Sequence, residues 1–361
     1  MPSSSPEPLN QLVAFMKYLG TGKTGSRDLS REDATAAMNA ILDRRFHPVT
    51  FGAFFQALRH KGEALDEVAG LMDSLALRTL QTGIPMPANT VDCAGAYDGK
   101  QRTLNIGLPA ALVTAAAGVP VLLHGNRDVP TKCGMTTSHI LERLGIDWMR
   151  SSTEAAADLH NHGIAYLHQP VFHPGLDALL PLRRAMGKRT ILNSIEPLLN
   201  PLGARMHVGG FFHDAYAEML CRASAVANTG FDRVVLVKGI EGSDELRPGV
   251  MTFCELNHGE VQTHATDSMA LGLHAHISEL ALTIHDIDAA ATENAARIKD
   301  VLQGADTPAY RNSILLNAAV RLYTAGAAST LADAVPIAVE ALESGRAAER
   351  LLAWQQETMK L

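Results

Sequence analysis

Cysteine is scarce in this chain. Its four cysteines, Cys93, Cys133, Cys221 and Cys254, are scattered and never stand at C-x-x-C spacing, which excludes a zinc ribbon or a disulfide framework as the organising feature. Reduced thiols in a cytoplasmic protein are the expectation. Long apolar runs are missing too: nothing approaches the roughly twenty apolar residues of a membrane helix. The opening MPSSSPEPLNQL has neither the charged nor the apolar segment of a signal peptide. Positive charge is not in excess. A net charge of −7 excludes a protein that is basic all over, so affinity for nucleic acid would need a local patch. The strict dinucleotide fingerprint is also absent. Gly22-Lys23-Thr24 fails as a phosphate loop, because the position five before Gly22 is Lys17, inside a helical run, where a glycine after a strand is required.

What is present describes an ordinary globule, with 47% hydrophobic and 19% charged residues in 361 positions. That length fits one large domain or a large and a small one. Residues 1–9 are rich in Ser and Pro and expected to be disordered. Helices are expected at 11–19, from Ser30 as cap to about Asp43, from Thr50 as cap to Gly62, and over about 65–79. From Thr90 the pattern changes. VDCAG, VPVLLHG, IAYLHQP, RMHVGGF and DRVVLVKG read as buried strands alternating with helices, the mark of an α/β fold with a mostly parallel sheet. The last third, from about Ile287, is helical again. Histidines at 160 and 162, and at 264, 274, 276 and 285, lack the spacing of a metal site.

One stretch carries the chemistry. Residues 91–135 hold a Gly-bearing turn, GAYDGK, then an apolar helix, a buried strand and a second loop, HGNRDVPTKCG. Glycines let backbone approach a ligand closely, and a following helix N-terminus presents N–H groups to an anion. Taken alone, Gly95 and Gly99 are equally readable as ordinary turn glycines. Later, GIEGSDELRPG offers Asp244 and Glu245 side by side in a Gly-flanked loop, with Glu241 nearby. Adjacent acids in a loop can both turn towards one ion.

These phrases resemble the anthranilate phosphoribosyltransferase family, whose pattern runs D-x-x-GTGGDG-x-x-T-F-N-I-S and then KHGNR-x-V-S-S-K-S-G. Asp92, Gly95, Thr103, Asn105, Ile106, His124, Gly125, Asn126, Arg127, Val129, Lys132 and Gly134 fall into register, and the likeness extends over nearly the whole chain. It implies a small helical domain over 1–85, completed by a helical segment near 178–202. A larger α/β domain over 86–177 and 203–361 would lie beside it, with a ligand cleft between. Phosphoribosyl diphosphate would lie on Gly95, Asp98, Gly99, Thr103, Asn105, Thr131 and Lys132. Magnesium would sit on Asp244 and Glu245, and the acceptor near His124, Asn126, His173, Arg183 and Glu196. Arg183 matches an arginine that holds the acceptor carboxylate in anthranilate enzymes, although beside Arg184 on a helix it also reads as half of a solvated pair. A homodimer through the helical opening is implied by the family alone.

Four departures stand out. GAYDGK replaces GTGGDG, bringing in Tyr97. Leu123 replaces the lysine before HGN, Gly107 replaces the serine after N-I, and Glu196 stands where glycine is usual. They resemble the divergent, YbiB-like branch of the family, some of whose members bind nucleic acid. Lys100, Arg102, Arg127 and Lys132, with Lys23 and Arg27, would then be the contacts. The expectation is a phosphoribosyltransferase whose acceptor is not anthranilate. The alternatives are a non-catalytic nucleic-acid-binding dimer and a true anthranilate enzyme of tryptophan biosynthesis.

Overall fold

In the computed structural model, which describes residues 10–22 and 25–359, helix α1 (Leu12–Leu19) opens the chain. The expectation for residues 1–9 and the candidate Lys23 lie outside the described residues. Helix α2 (Arg31–Leu42) starts as its sequence dictates: the Ser30 hydroxyl accepts from the Asp33 N–H at 3.1 Å, with Glu32 and Asp33 in the first turn. Helix α3 (Pro48–Lys61) starts earlier than Thr50. Pro48 fits the first helical position because it has no N–H to leave unpaired, and His47 caps by accepting from Val49 N at 3.2 Å. Gly62 ends it at φ 88°. Helix α4 (Leu65–Arg78) lies on α2 with Gly70 at the contact, where a Cβ would come within 2.3 Å of the Arg31 carbonyl.

The sheet has seven strands: β1 (Val91–Ala94), β2 (Val121–Gly125), β3 (Ile164–His168), β4 (Met206–Phe211), β5 (Arg233–Lys238), β6 (Val250–Asn257) and β7 (Glu260–Asp267). Their order is β3-β2-β1-β4-β5-β6-β7. The first five are parallel and the hairpin β6–β7 is antiparallel. All five expected strands are present; the hairpin is an addition to them.

Alternation along the strands builds two cores. Val121, Leu123, Ile164, Tyr166, Val235 and Val237 face helix α5 (Gly107–Ala116) and the C-terminal helices Pro308–Thr324, Leu331–Glu343 and Arg346–Thr358. Leu122, Ala165, Leu167, Val234 and Leu236 face the other way, into one core with α2, α3 and α4. Leu179, Ile191, Leu192, Ile195 and Leu198 join that second core. Their segment is not one crossing helix. It breaks into Leu180–Met186, stopped by Gly187 at φ 61°, and the single turn Leu192–Ile195.

Strand order reverses between β1 and β4. The loops after them run to opposite sides and leave a crevice at the carboxyl edge of the sheet, the usual ligand position in open α/β sheets. No described helix is long and apolar enough to cross a membrane.

Candidate active site

The loop after β1 and the loop after β2 are stitched together. Lys100 N donates to Met135 O, and Met135 N to Lys100 O, both at 2.8 Å; Gly134 N donates to Asp98 O at 2.9 Å. Gly99 makes this fit possible. Its φ is 77°, and a Cβ there would lie 2.3 Å from the Gly134 carbonyl oxygen.

A third loop, after β5, seals the first. Glu241 accepts from Arg102 N at 3.0 Å, Gln101 N at 3.2 Å and Thr103 Oγ1 at 3.0 Å. Burial pushes its carboxyl up, but these donors and Lys132 outweigh that and hold it below its ordinary value. Lys132 Nζ lies 3.5 Å from Asp98 Oδ1 and 3.7 Å from Glu241 Oε2, and Arg189 grips Asp98 through Nε at 2.7 Å. Around them Arg59, Arg102, Thr131, Lys132, Lys188 and Arg189 line an open mouth of ≈ 410 Å³. Five cations from four parts of the chain suit a phosphorylated ligand. Burial lowers the Lys132 ammonium from its ordinary value, with Asp98 and Glu241 opposing.

Beside this mouth, a cleft of ≈ 110 Å³ runs between Tyr97, Arg189, Asn193, Pro197, Phe211, His213 and Tyr216. The sequence reading expects an acceptor on this side. Arg183 and Glu196, expected there, are buried together at 2% and 0% exposure. Arg183 Nη2 donates to Glu196 Oε2 at 3.0 Å and Nη1 to Oε1. Burial raises the Glu196 carboxyl above its ordinary value, and Arg183 opposes the rise. The solvated-pair reading of Arg183 therefore fails, and Glu196, expected near the acceptor, is paired with Arg183 instead.

His124 faces inwards. Its Nδ1 accepts from the Tyr97 hydroxyl at 2.6 Å, and its Nε2 meets Asp92 Oδ1 at 3.1 Å. His207, in register with Asp92 on the adjacent strand, reaches the same oxygen through Nδ1 at 2.6 Å. These three residues bring three potential metal-ligand atoms within 4.8 Å of one another. Their mutual hydrogen bonds occupy Asp92 Oδ1, His124 Nε2 and His207 Nδ1, whereas the buried Asp92 Oδ2 and His207 Nε2 have no hydrogen-bond partner among the described residues. Burial pushes Asp92 up, but the two imidazoles prevail and hold it below its ordinary value. Asn126 donates to Gln169 Oε1 and accepts from Arg127 N at 2.6 Å, which shapes the second loop. His173 is misplaced as an acceptor ligand. It is buried under the helical layer and caps a short helix by accepting from Leu176 N at 3.2 Å.

Asp244 and Glu245 do come together, but each is already matched. Glu245 Oε1 accepts from Ile106 N at 2.8 Å and Gly107 N at 2.9 Å, while Oε2 takes the Lys100 ammonium. Asp244 takes the guanidinium of Arg321, from helix Pro308–Thr324. Only ≈ 20 Å³ remains between the pair, Asn105 and His124, about the room for one water. As arranged, these acids do not fit magnesium, which keeps several waters in an octahedral shell. Asn105 serves α5 instead, its Oδ1 accepting from Leu108 N at 2.9 Å. Gly95 lies against Asp244, 3.8 Å from Oδ1 to an added Cβ.

The nucleic-acid line loses its first member, since Lys100 is 4% exposed and points inwards. Arg102 is exposed. Arg127 turns away to Glu142 at 2.6 Å and to the face of Trp148 at 4.8 Å. Sequence reasoning did not bring Arg59, Lys188, Arg189 or Arg321 to the site. Arg321 had a signal: with Ile314 and Asn317 it falls on the apolar stripe of its helix, three and then four positions on. Arg189 had none, because its partner Asp98 lies 91 positions away.

Comparison with known proteins agrees with this fold. Residues 15–77 match the profile of the glycosyl transferase family, helical bundle domain, and residues 88–348 that of the glycosyl transferase family, a/b domain. The chain is 36% identical to the anthranilate phosphoribosyltransferase of Moorella thermoacetica over 90% of its own length and 93% of the relative's. To that of Methanosarcina acetivorans it is 34% identical, over 93% and 87%. Among solved structures, the anthranilate phosphoribosyltransferase of Thermus thermophilus superposes with a TM-score of 0.78 at 28% identity, covering 96% of this chain and 99% of that one. The Saccharomyces cerevisiae protein in complex with PRPP and Mg has a TM-score of 0.80 at 21% identity, covering 97% and 98%; at that identity it speaks for the fold. Helical bundle, switch-point crevice and whole-chain similarity together show that this chain belongs to the glycosyl transferase family of the anthranilate phosphoribosyltransferases.

Proposed function

We propose that this protein transfers the phosphoribosyl group of phosphoribosyl diphosphate to an acceptor other than anthranilate, in the cleft between the helical layer and the sheet. The observation that carries the acceptor assignment is the buried Arg183–Glu196 pair. An arginine whose fork is filled by the chain's own carboxylate has no free edge for the carboxylate of an acceptor.

The chemistry breaks the bond between ribose C1 and the diphosphate oxygen, and the diphosphate leaves with the electron pair. A nucleophilic atom of the acceptor closes on C1. Lys132, Arg189, Arg102 and Arg59 would offset the charge that gathers on the leaving group, and the Thr131 hydroxyl would donate to it. Magnesium, when bound, would add positive charge to the diphosphate. Tyr97, held by His124, which bonds in turn to Asp92, forms a wall of the acceptor space. A homodimer through the helical domain belongs to the same proposal. Val13 on α1 and Val49 on α3 are exposed, and sedimentation of the purified chain tests it.

The main test is calorimetry with phosphoribosyl diphosphate and magnesium, followed by diphosphate release with anthranilate and with acceptors lacking a carboxylate. Ligand binding with release only for the latter is expected. Rapid consumption of anthranilate overturns the acceptor assignment, and absence of ligand binding overturns the transferase reading.

A further inference from the structure

We infer that the Lys100 ammonium is a built-in cation standing where a divalent ion would sit on Asp244 and Glu245, so that this acid pair takes no metal while Lys100 is in place. Lys100 Nζ donates to Glu245 Oε2 and, at 2.5 Å, to Leu104 O. Its backbone cannot easily withdraw. Both of its main-chain groups are paired with Met135 at 2.8 Å, and Gly99 before it is flush against Gly134.

Charge balance points the same way. Asp244 and Glu245 contribute two negative charges, and Lys100 and Arg321 contribute two positive ones. Every one of these side chains is buried. A divalent ion added to a balanced, desolvated set would leave two unmatched positive charges, which a low-dielectric site resists. Glu245 Oε1 is further occupied by the N–H groups of Ile106 and Gly107. Space agrees with charge, since ≈ 20 Å³ cannot hold an ion with its water shell.

The inference rests on the transferase reading for its consequence only: a ligand entering from the mouth meets an ammonium at these acids, and any metal it needs must come with it. The test contains no diphosphate and so stands or falls separately from that reading. Manganese, followed by electron paramagnetic resonance, is titrated into the full chain, into Glu245→Gln, into Lys100→Gly, and into Lys100→Gly combined with Glu245→Gln. The wild type should show no site sensitive to Glu245→Gln. Lys100→Gly should gain one about a hundredfold tighter, the order expected from removing one charge at contact distance in a partly screened site, and the double variant should lose it. A wild-type site lost in Glu245→Gln, or a folded Lys100→Gly that gains none, overturns the inference. Should Lys100→Gly fail to fold, wild-type crystals soaked in manganese decide. Anomalous density between Asp244 and Glu245 refutes the inference, and Lys100 Nζ on Glu245 with no such density supports it.

Discussion

Arg183 and Glu196 meet fork to fork, with Nη2 donating to Oε2 at 3.0 Å and neither side chain reaching solvent. Glu196→Gly would leave the guanidinium free to accept a carboxylate from outside. Anthranilate should then raise the melting temperature of Glu196→Gly and leave the wild type unchanged, because a ligand stabilises only the state that binds it. Bonds to a charged group contribute about 1.5–3 kcal/mol, so anthranilate affinity should rise roughly tenfold to a hundredfold. Leu123→Lys in addition should increase it further. Arg183→Ala should instead cost about 3–5 kcal/mol in urea unfolding, since Glu196 stays buried without a partner. Equal responses of wild type and Glu196→Gly to anthranilate count against the pair as the gate.

Stability should fall on mild acidification. Burial lowers His168 and His173 from the ordinary 6.5 to about 4. Between those values the unfolded chain binds protons that the native chain does not, so stability is complete above about 6.5 and is lost as pH drops towards about 4. Each imidazole contributes up to about 3 kcal/mol across that window. Urea midpoints measured through the window should slope upwards with pH, and His173→Gln should flatten the slope. A level profile would contradict neutral burial of both rings.

Gly99→Ala should separate the two ligand loops. Gly118 is the control: its φ is 91°, yet nothing lies within 4 Å of an added Cβ, whereas at Gly99 the Gly134 carbonyl oxygen is 2.3 Å away. Gly118→Ala should cost about 1 kcal/mol, for the left-handed backbone alone. Gly99→Ala should cost about 1–3 kcal/mol more and lose phosphoribosyl diphosphate binding while the helical content is kept. Similar unfolding midpoints for the two variants would show that the loops do not depend on this contact.

Asp98 should act against anion binding. It holds Arg189 and Lys132, so Asp98→Asn should strengthen inorganic diphosphate binding, while Lys132→Ala and Arg189→Ala should each weaken it about tenfold or more. The same losses should shrink as salt is added, because these half-buried charges at an open mouth are partly screened. Calorimetry with diphosphate at two salt concentrations reads both signs. Weaker binding in Asp98→Asn would mean that Asp98 builds the site rather than restrains it.

How much was legible in the sequence depends on how far each residue's partner lies along it. VPVLLHG and DRVVLVKG hold the short apolar runs VPVLL and VVLV, and they became β2 and β5. The hairpin β6–β7 was not legible in the same way. Glu260–Asp267 is an edge strand, largely polar and partly exposed, so it carries little hydrophobic pattern. Thr50 looked like a cap, but Pro48 moved the start of α3 by fixing φ two residues earlier. In the site, motif register brought Asp244, Glu245, Lys132 and Asn126 to the carboxyl edge of the sheet. Register is silent on pairing. Lys100 looked like a surface cation because Glu245, which draws it inwards, lies 145 positions on.

The N-terminus of α5 has a consequence for selectivity. A helix start at the carboxyl edge of such a sheet normally offers fixed N–H groups to an incoming phosphate. Here the Ile106 and Gly107 N–H groups point at Glu245, so the chain supplies its own anion to that socket. Recognition of a foreign anion passes to the rim, to long side chains from α3 and from separate loops. Rigid backbone donors measure the shape of a phosphate, whereas lysine and arginine tips adjust to it. A site built this way should grade its ligands by total negative charge, and should accept phosphate chains of different length at the same mouth.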